Sequence, residues 1–325
     1  MSAEESVQLV DEAGEPAGSA PRSVMRADNL PHAGTGVFVR RPDGAIYVHQ
    51  RARTKDWAPG HWDAAAGGVL RAGEDPADNA RRELEEELGI AGAELRGLGT
   101  HAYADGTTRL FEHLFEVVWD GEIRWPDEEV VDGRWVLPEE LGPLVETGPF
   151  VPDTAAALEQ LAAEGAGDYA QLRAFAGARR AGLPFTVTRH GRVRSLEEAA
   201  AARGVEPRQL LKTMVVRLSA DDHRLVLVPG DREIAWPRLR SALGVNRLTM
   251  PSADEAREVT GFVRGTITPF GTRTPLPVVL DASVSGPISL GGGAHGVGIT
   301  VERDDLVAAL DPLVVDVAEP VSPGS

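Results

Sequence analysis

Gly68, five residues, Glu74, seven residues, then Arg82-Glu83-Leu84-Glu85-Glu86-Glu87-Leu88-Gly89-Ile90: on this stretch turns the reading of the 325-residue chain. Asp75 is a good N-cap, Pro76 suits a first helical position, Asp78 puts negative charge in the first turn and Gly89 suits a left-handed stop. The spacing therefore predicts a helix over residues 76–88. On it Glu83, Glu86 and Glu87 stand at i, i+3 and i+4, so their carboxylates share one face. Three carboxylates on one face repel. Hard divalent cations such as Mg²⁺ or Mn²⁺, which take oxygen ligands and bridge to phosphate oxygens, make the arrangement favourable. Leu84 and Leu88, four apart, are expected to pack the helix on a sheet. The glycines at 67, 68 and 73 are expected to let the chain turn back sharply over it. An acidic run alone reads as a solvated face. The whole spacing, expected by chance on the order of once in a million chains, overturns that reading.

This pattern is the Nudix box, and the text before it, Arg51, Arg53 and Lys55 ahead of Pro59-Gly60-His61-Trp62-Asp63, resembles the Nudix branch that includes YfcD-type proteins and isopentenyl-diphosphate isomerases. The resemblance runs from about Ser6 to about Ala163. It implies that Glu83, Glu86 and Glu87 bind metal with the Gly67 carbonyl, that Arg82 orients the glutamates, and that Arg53 and Lys55 meet the substrate. Glu129, six residues before Trp135 and next to Glu128, is the expected later glutamate that acts as base or further ligand.

The chain has no cysteine, and the resembling isomerases use a catalytic thiol within the stretch corresponding to Asp63-Ala64-Ala65-Ala66. Alanine offers no proton donor or acceptor, which leaves isopentenyl-diphosphate isomerisation a distant alternative. Disulfides, thiolate zinc sites and cysteine nucleophiles are excluded as well.

At this length two independent cores are expected, and the charge is divided to match. Residues 1–165 hold 14 Lys+Arg against 32 Asp+Glu; residues 166–325 hold 19 against 18. The acidic half repels polyanions, so small diphosphate compounds carried with their metal suit it, and duplex DNA does not. An Ala/Leu-rich segment from Asp153 to Ala163 and the linker Glu164-Gly165-Ala166-Gly167 place the expected boundary at 165/166, with a further helix over 168–181. The N-terminus lacks the basic-then-apolar order of a secretory signal and no run is long enough to span a membrane, so a cytoplasmic location is expected.

In the second half, Lys212 stands at the head of the apolar run Leu211 to Val216 in a chain with 31 arginines and only two lysines, Lys55 and Lys212. A compact ammonium there does what a planar guanidinium cannot; the competing reading is a strand-edge gatekeeper. The segment from about Ala178 to Val315 resembles the YbaK family of aminoacyl-tRNA deacylases. The resemblance rests on Leu183-Pro184-Phe185, Ser195-Leu196-Glu197-Glu198-Ala199, Lys212-Thr213, Gly261-Phe262, Gly265-Thr266-Ile267-Thr268-Pro269 and Gly291-Gly292-Gly293 in that order. It implies a mischarged aminoacyl-tRNA as substrate, Lys212 beside the scissile ester, Thr213 and Thr266 lining the pocket, and backbone donors at Gly265 and Gly292. Where the family often has Ser-Gly-Gly-Lys-Arg-Gly, this chain has Gly291-Gly292-Gly293-Ala294-His295-Gly296, and an expected acid is Gly298. An inactive module that only binds tRNA or an amino acid is therefore the alternative.

Gly291, Gly293 and Gly296 also spell a dinucleotide-binding signature, but Val297-Gly298-Ile299-Thr300-Val301 alternates like a strand and too little chain follows for that fold. The expected architecture is a Nudix α/β/α sandwich with a mixed sheet over residues 1–165, then a YbaK-like α+β domain with a mixed sheet over residues 166–325.

Overall fold

The computed structural model describes residues 4–321, and the chain divides into two compact units, Met1–Gln160 and Leu161–Ser325. The elements leading into and through the first are β1 Ser6–Val10, β2 Pro16–Pro21, α1 Arg22–Ala27, β3 His32–Arg40, β4 Ile46–Arg51, β5 Trp62–Asp63, β6 Ala65–Val69, α2 Pro76–Leu88, β7 Arg96–Ala104, β8 Arg109–Val118, β9 Val130–Val136, α3 Pro138–Thr147 and α4 Pro152–Glu164. The division between units falls inside α4.

β3 organises the first unit. It pairs antiparallel with β6 over Gly34–Phe38 and parallel with β8 along its whole length, which makes the sheet mixed. Alternation along β3 turns Val37 and Val39 toward α2, where they are buried with Ala66, Ala80, Leu84 and Leu88. The opposite phase, Gly34 and Gly36, carries no side chain. The sequence expectation for α2 holds to the residue: the Asp75 carboxylate accepts from the amides of Ala77 and Asp78, Pro76 opens the helix, and Gly89 closes it at φ 65°.

One expectation fails. Gly67 and Gly68 are not turn residues but lie in β6, at negative φ or extended backbone. A Cβ on Gly67 would stand 1.9 Å from the Thr35 carbonyl oxygen, and one on Gly68 would stand 2.7 Å from the Glu83 carboxyl. Close approach, not turning, requires glycine here; only Gly73, at φ 77°, turns the chain.

The second unit contains α5 Ala170–Arg180, β10 Thr186–Arg189, α6 Leu196–Ala202, β11 Leu211–Ser219, β12 Asp222–Pro229, β13 Arg232–Ile234, α7 Trp236–Ala242, α8 Ala253–Thr260, β14 Val278–Asp281, β15 Pro287–Gly291, β16 Val297–Glu302, α9 Arg303–Leu310, β17 Leu313–Val315 and β18 Ala318–Pro320. A mixed sheet runs β11-β12-β14-β17, beside an antiparallel β10-β16-β15 sheet and a β13-β18 pair. Both faces of the larger sheet are covered: Val215, Leu225, Leu227 and Leu280 enter one core, and Val216, Val226, Val228 and Val279 the other. That explains why β11 and β12 read as continuous apolar runs. β16 begins at Val297, which removes the dinucleotide reading of the glycine cluster. Among the described residues no helix is long and apolar enough to cross a membrane.

Candidate functional site

The acidic face of α2 is organised by one guanidinium. Arg82 bonds Glu74 through Nε and Nη2 at 3.1 and 3.3 Å, and through Nη1 bonds Glu83 at 2.7 Å and Glu86 at 3.0 Å. Glu74 also accepts from Asn79 and from the Arg71 amide, both at 2.9 Å, which fixes Arg82 from behind. Glu83 and Glu87 are buried, whereas the Glu86 side chain is half exposed. Burial, together with the charge of Glu87, pushes the Glu83 carboxyl up to about 7. Glu87 accepts from the Gly67 amide at 3.1 Å and from Lys55 at 3.2 Å.

Lys55 also donates to Glu129, which stands just ahead of β9. Its burial works against the charge, but Glu87 and Glu129 outweigh it and raise the ammonium above its ordinary value. Reciprocally, Glu129 loses solvent yet is held below the usual carboxylate range by Lys55. Lys55 thus ties the helix glutamate to the late glutamate.

These groups edge a cavity of about 490 Å³ whose lining includes Arg22, Arg26, Arg51, Lys55, Glu83, Glu86, Glu112 and Glu129. Arg53, expected at the substrate, is exposed and does not line it; Arg51, two residues earlier on the inward phase of β4, does. Arg51 is buried against Asp63, 3.4 Å away. Arg22 and Arg26, one turn apart on α1, converge on Asp56 at 3.0 and 3.5 Å. Although burial opposes it, the Arg22 and Arg26 charges hold Asp56 at about 2. Sequence reasoning missed this arginine pair, whose i, i+4 spacing is the signal that marks it.

It also missed Glu112. In β8, Leu110-Phe111-Glu112-His113-Leu114-Phe115-Glu116 places two glutamates on the inward phase. Glu116 is answered by Arg40 at 3.1 Å and Arg96 at 2.7 Å, which overcome its burial and lower its pKa. Glu112 has no such neighbour. Burial, then the charges of Asp153 and Asp63, push it well above the ordinary range. Asp153 accepts from the Trp57 indole at 3.2 Å, and Asp63 accepts from Thr154 at 2.7 Å and the Ala65 amide at 3.1 Å.

The NUDIX domain family model matches residues 30–160. An uncharacterised Nudix hydrolase of Pseudomonas aeruginosa is 39% identical over 154 residues, which cover 47% of this chain and 91% of that protein. The uncharacterised Nudix hydrolase YfcD of Escherichia coli K12 is 39% identical over 158 residues, 49% of this chain and 87% of that one. The chain belongs to the Nudix hydrolase family. It is accordingly a hydrolase, of a family that generally uses divalent cations and acts on small diphosphates.

The donor set around the Nudix box fits such a cation. All its side-chain donors are carboxylate oxygens, and the mutual repulsion of Glu83 and Glu87 is what a positive ion relieves. Where the side chains stand, no three acidic or histidine groups among the described residues are gathered closely enough to hold an ion. Arg82 occupies oxygens of Glu83 and Glu86, and Lys55 occupies one of Glu87.

In the second unit of this Nudix hydrolase, the residues singled out from the sequence begin on β11. Lys212 donates through Nζ to the Arg232 carbonyl at 2.5 Å, and burial lowers its pKa against the opposing pull of Asp231 and Glu233. The neighbouring Thr213 hydroxyl is buried with no hydrogen-bond partner. Gly265 adopts φ 90°, with a Cβ position 3.4 Å from the His295 ring. Thr266 is buried and donates to the Val263 carbonyl at 2.9 Å. Gly292 corrects an expectation: its amide donates to the Val297 carbonyl at 3.0 Å, so that donor is committed to the turn into β16. Gly298, at the place of the expected acid, makes room for Arg203, whose guanidinium bonds the Leu290 carbonyl at 3.1 Å.

The aminoacyl-tRNA editing domain model matches residues 190–309. A solved structure, proposed to be a trans-editing enzyme for prolyl tRNA synthetase, is 27% identical with a TM-score of 0.43, covering 46% of this chain and 96% of that one. By the family-model match, this Nudix hydrolase carries a C-terminal tRNA-editing domain of YbaK type.

Proposed function

We propose that the first unit hydrolyses the diphosphate bond of a nucleoside diphosphate linked to a further group, with Mg²⁺ or Mn²⁺ held by Glu83, Glu86, Glu87 and the Gly67 carbonyl. The observation that carries this reading is the juxtaposition, in one cavity, of Glu83 and Glu86 with Arg22, Arg26, Arg51 and Lys55. Bound there, the cation neutralises phosphate charge and acidifies the attacking water. Arg82 aims Glu83 and Glu86. Lys55, drawn from Glu129 to the incoming phosphates, releases that carboxylate to take the proton from water, the role otherwise left to a box glutamate. Ala65 on the cavity wall offers no proton, which speaks against isomerase chemistry.

The second unit, in this reading, hydrolyses the ester of a mischarged aminoacyl-tRNA, with the Lys212 ammonium beside the ester carbonyl and Thr213, Gly265 and Thr266 shaping the pocket. The depressed Lys212 pKa and the unpartnered Thr213 hydroxyl support a polar ligand there. Gly292 then contributes shape instead of a hydrogen bond. The test is a paired screen of the full chain, with diphosphate compounds in Mg²⁺ and mischarged tRNAs without it. Chelation should abolish only the first activity. Binding of tRNA without deacylation, which the Gly291, Ala294 and Gly298 departures favour, would make the second unit a sensor.

A further inference from the structure

We propose that Glu112 recognises the base of the substrate, its carboxyl forming a paired donor and acceptor contact with the N–H and acceptor edge of a planar nitrogen heterocycle. This rests on the nucleoside diphosphate reading above and adds the residue that distinguishes base from hydrocarbon.

Glu112 is 6% exposed and lines the 490 Å³ cavity, and among the described residues no arginine or lysine forms an ion pair with it. A carboxyl on a cavity wall without a cationic partner is open to a ligand. The space it occupies is specific. A Cβ on Gly36, which lies diagonal to Glu112 across the β3–β8 pair, would stand 2.5 Å from Glu112 Oε1, so glycine there leaves room for the carboxyl at the cavity wall. Glu116, on the same face of the same strand, shows what a carboxylate with a structural task acquires here: two arginines. Glu112 acquires none, and its nearest charges, Asp63 and Asp153, are both negative.

Burial and the like charges of Asp153 and Asp63 favour the neutral form of such a group, which has one O–H to donate and one carbonyl oxygen to accept. That pattern is complementary to an amide-like or amidine-like edge and has nothing to offer an alkyl chain. The cavity also contains Trp57, whose indole is anchored to Asp153, and the apolar Leu110 and Val151. A fixed aromatic plane and an apolar wall beside one polar pair is how flat heterocycles are held. An ammonium-bearing group would share the cavity with Arg22, Arg26 and Arg51, whose like charges oppose it.

The experiment uses the full chain with Mg²⁺ and non-hydrolysable α,β-methylene analogues of the four common nucleoside diphosphates, together with a base-free ribose diphosphate, by calorimetry. Wild type should bind at least one base-bearing analogue more tightly than the base-free compound. Glu112→Leu should weaken that analogue about 10- to 100-fold and the base-free compound less than about 2-fold. Glu112→Gln, which keeps a donor and an acceptor, should stay within about 3-fold of wild type. Equal losses on base-free and base-bearing compounds, or a Gln variant as weak as Leu, would overturn the assignment. So would unchanged binding in a folded Leu variant. If wild type binds the base-free compound as well as every nucleotide, the nucleoside reading itself fails. If it binds neither, the diphosphate reading fails, and Glu112 recognition fails with it.

Discussion

Gly67→Ala should unfold the first unit's sheet locally, whereas Gly68→Ala, one residue on, should spare the fold and disturb the site. At Gly67 the added methyl would lie 1.9 Å from a backbone oxygen of β3, 2.9 Å from the Thr35 carbonyl carbon and 3.2 Å from Gly36 Cα. Backbone cannot rotate away as a side chain can. β3 and β6 must part by at least about 1 Å, which strains the five residue pairs that join them. Overpacking alone costs about 1–3 kcal/mol, and one or two lost ladder bonds add about 1 kcal/mol each, so about 3–4 kcal/mol is expected. For a unit of this size that lowers Tm by about 10 °C. At Gly68 the methyl meets only the Glu83 carboxyl, at 2.7 Å, a group that can swing. Its Tm should fall by less than about 3 °C, while diphosphate hydrolysis drops about 10- to 100-fold through the displaced glutamate. Thermal unfolding of the full chain and a phosphate-release assay read both. If Gly67→Ala melted with wild type, or the two variants exchanged their effects, the close-approach account of the paired glycines would be wrong.

Glu86→Gln or Glu87→Gln should lower diphosphate hydrolysis by about 10²- to 10⁴-fold in Mg²⁺ without lowering Tm; wild-type turnover by either would remove the metal assignment. Arg82→Ala should show a smaller loss through misaimed glutamates, and a Mn²⁺ titration that restored wild-type kcat would show that affinity alone was at stake. Lys212→Ala should abolish deacylation of mischarged tRNA, and Lys212→Arg should restore it poorly, because the planar fork cannot occupy the same point. A change confined to thermal stability would identify a strand-edge gatekeeper instead. His32, buried beneath β1, is lowered by burial to about 4. Its unfolded value is near 6.5, so the unfolded chain takes up the proton first, and its contribution is present above that pH and lost as pH falls toward 4. Up to about 3 kcal/mol is involved, and denaturant titrations of His32→Asn should lose that slope between pH 6.5 and 4.

The first unit was legible wherever chemistry is written in local spacing. Asp75, Pro76 and Gly89 bracket α2 because capping is a short-range interaction, and Glu83, Glu86 and Glu87 declare their shared face through helical period alone. The cavity was less legible because it is assembled across the sheet. Arg22, Arg51, Asp63 and Glu112 come from four separate elements, and the parallel register of β3 with β8 sets Gly34 and Gly36 beside Glu112 on one side of the sheet. Arg53, the same strand phase as Arg51, is the wrong choice because β4 ends at Arg51 and the chain then leaves the sheet, an end point that the sequence does not mark. Gly67 and Gly68 were read as turn residues because a glycine required by a neighbouring strand looks, in sequence, like a glycine required by a bend. In the second unit the apolar strands were clear, but whether an amide such as that of Gly292 is spent or open depends on a carbonyl five residues away.

Lys55 has a consequence for how the proposed metal site behaves when empty. Seated between Glu87 and Glu129, its ammonium acts as a resident counter-ion, so part of the negative charge of the acidic face is answered without help from solution. An arriving divalent ion must evict this occupant, and the work of eviction is subtracted from its affinity. The phosphates of a substrate offer the evicted ammonium a new partner, which makes metal and substrate each other's promoters. Chelators should therefore silence this enzyme while leaving it folded, and metal affinity measured without substrate should understate the affinity that operates during turnover.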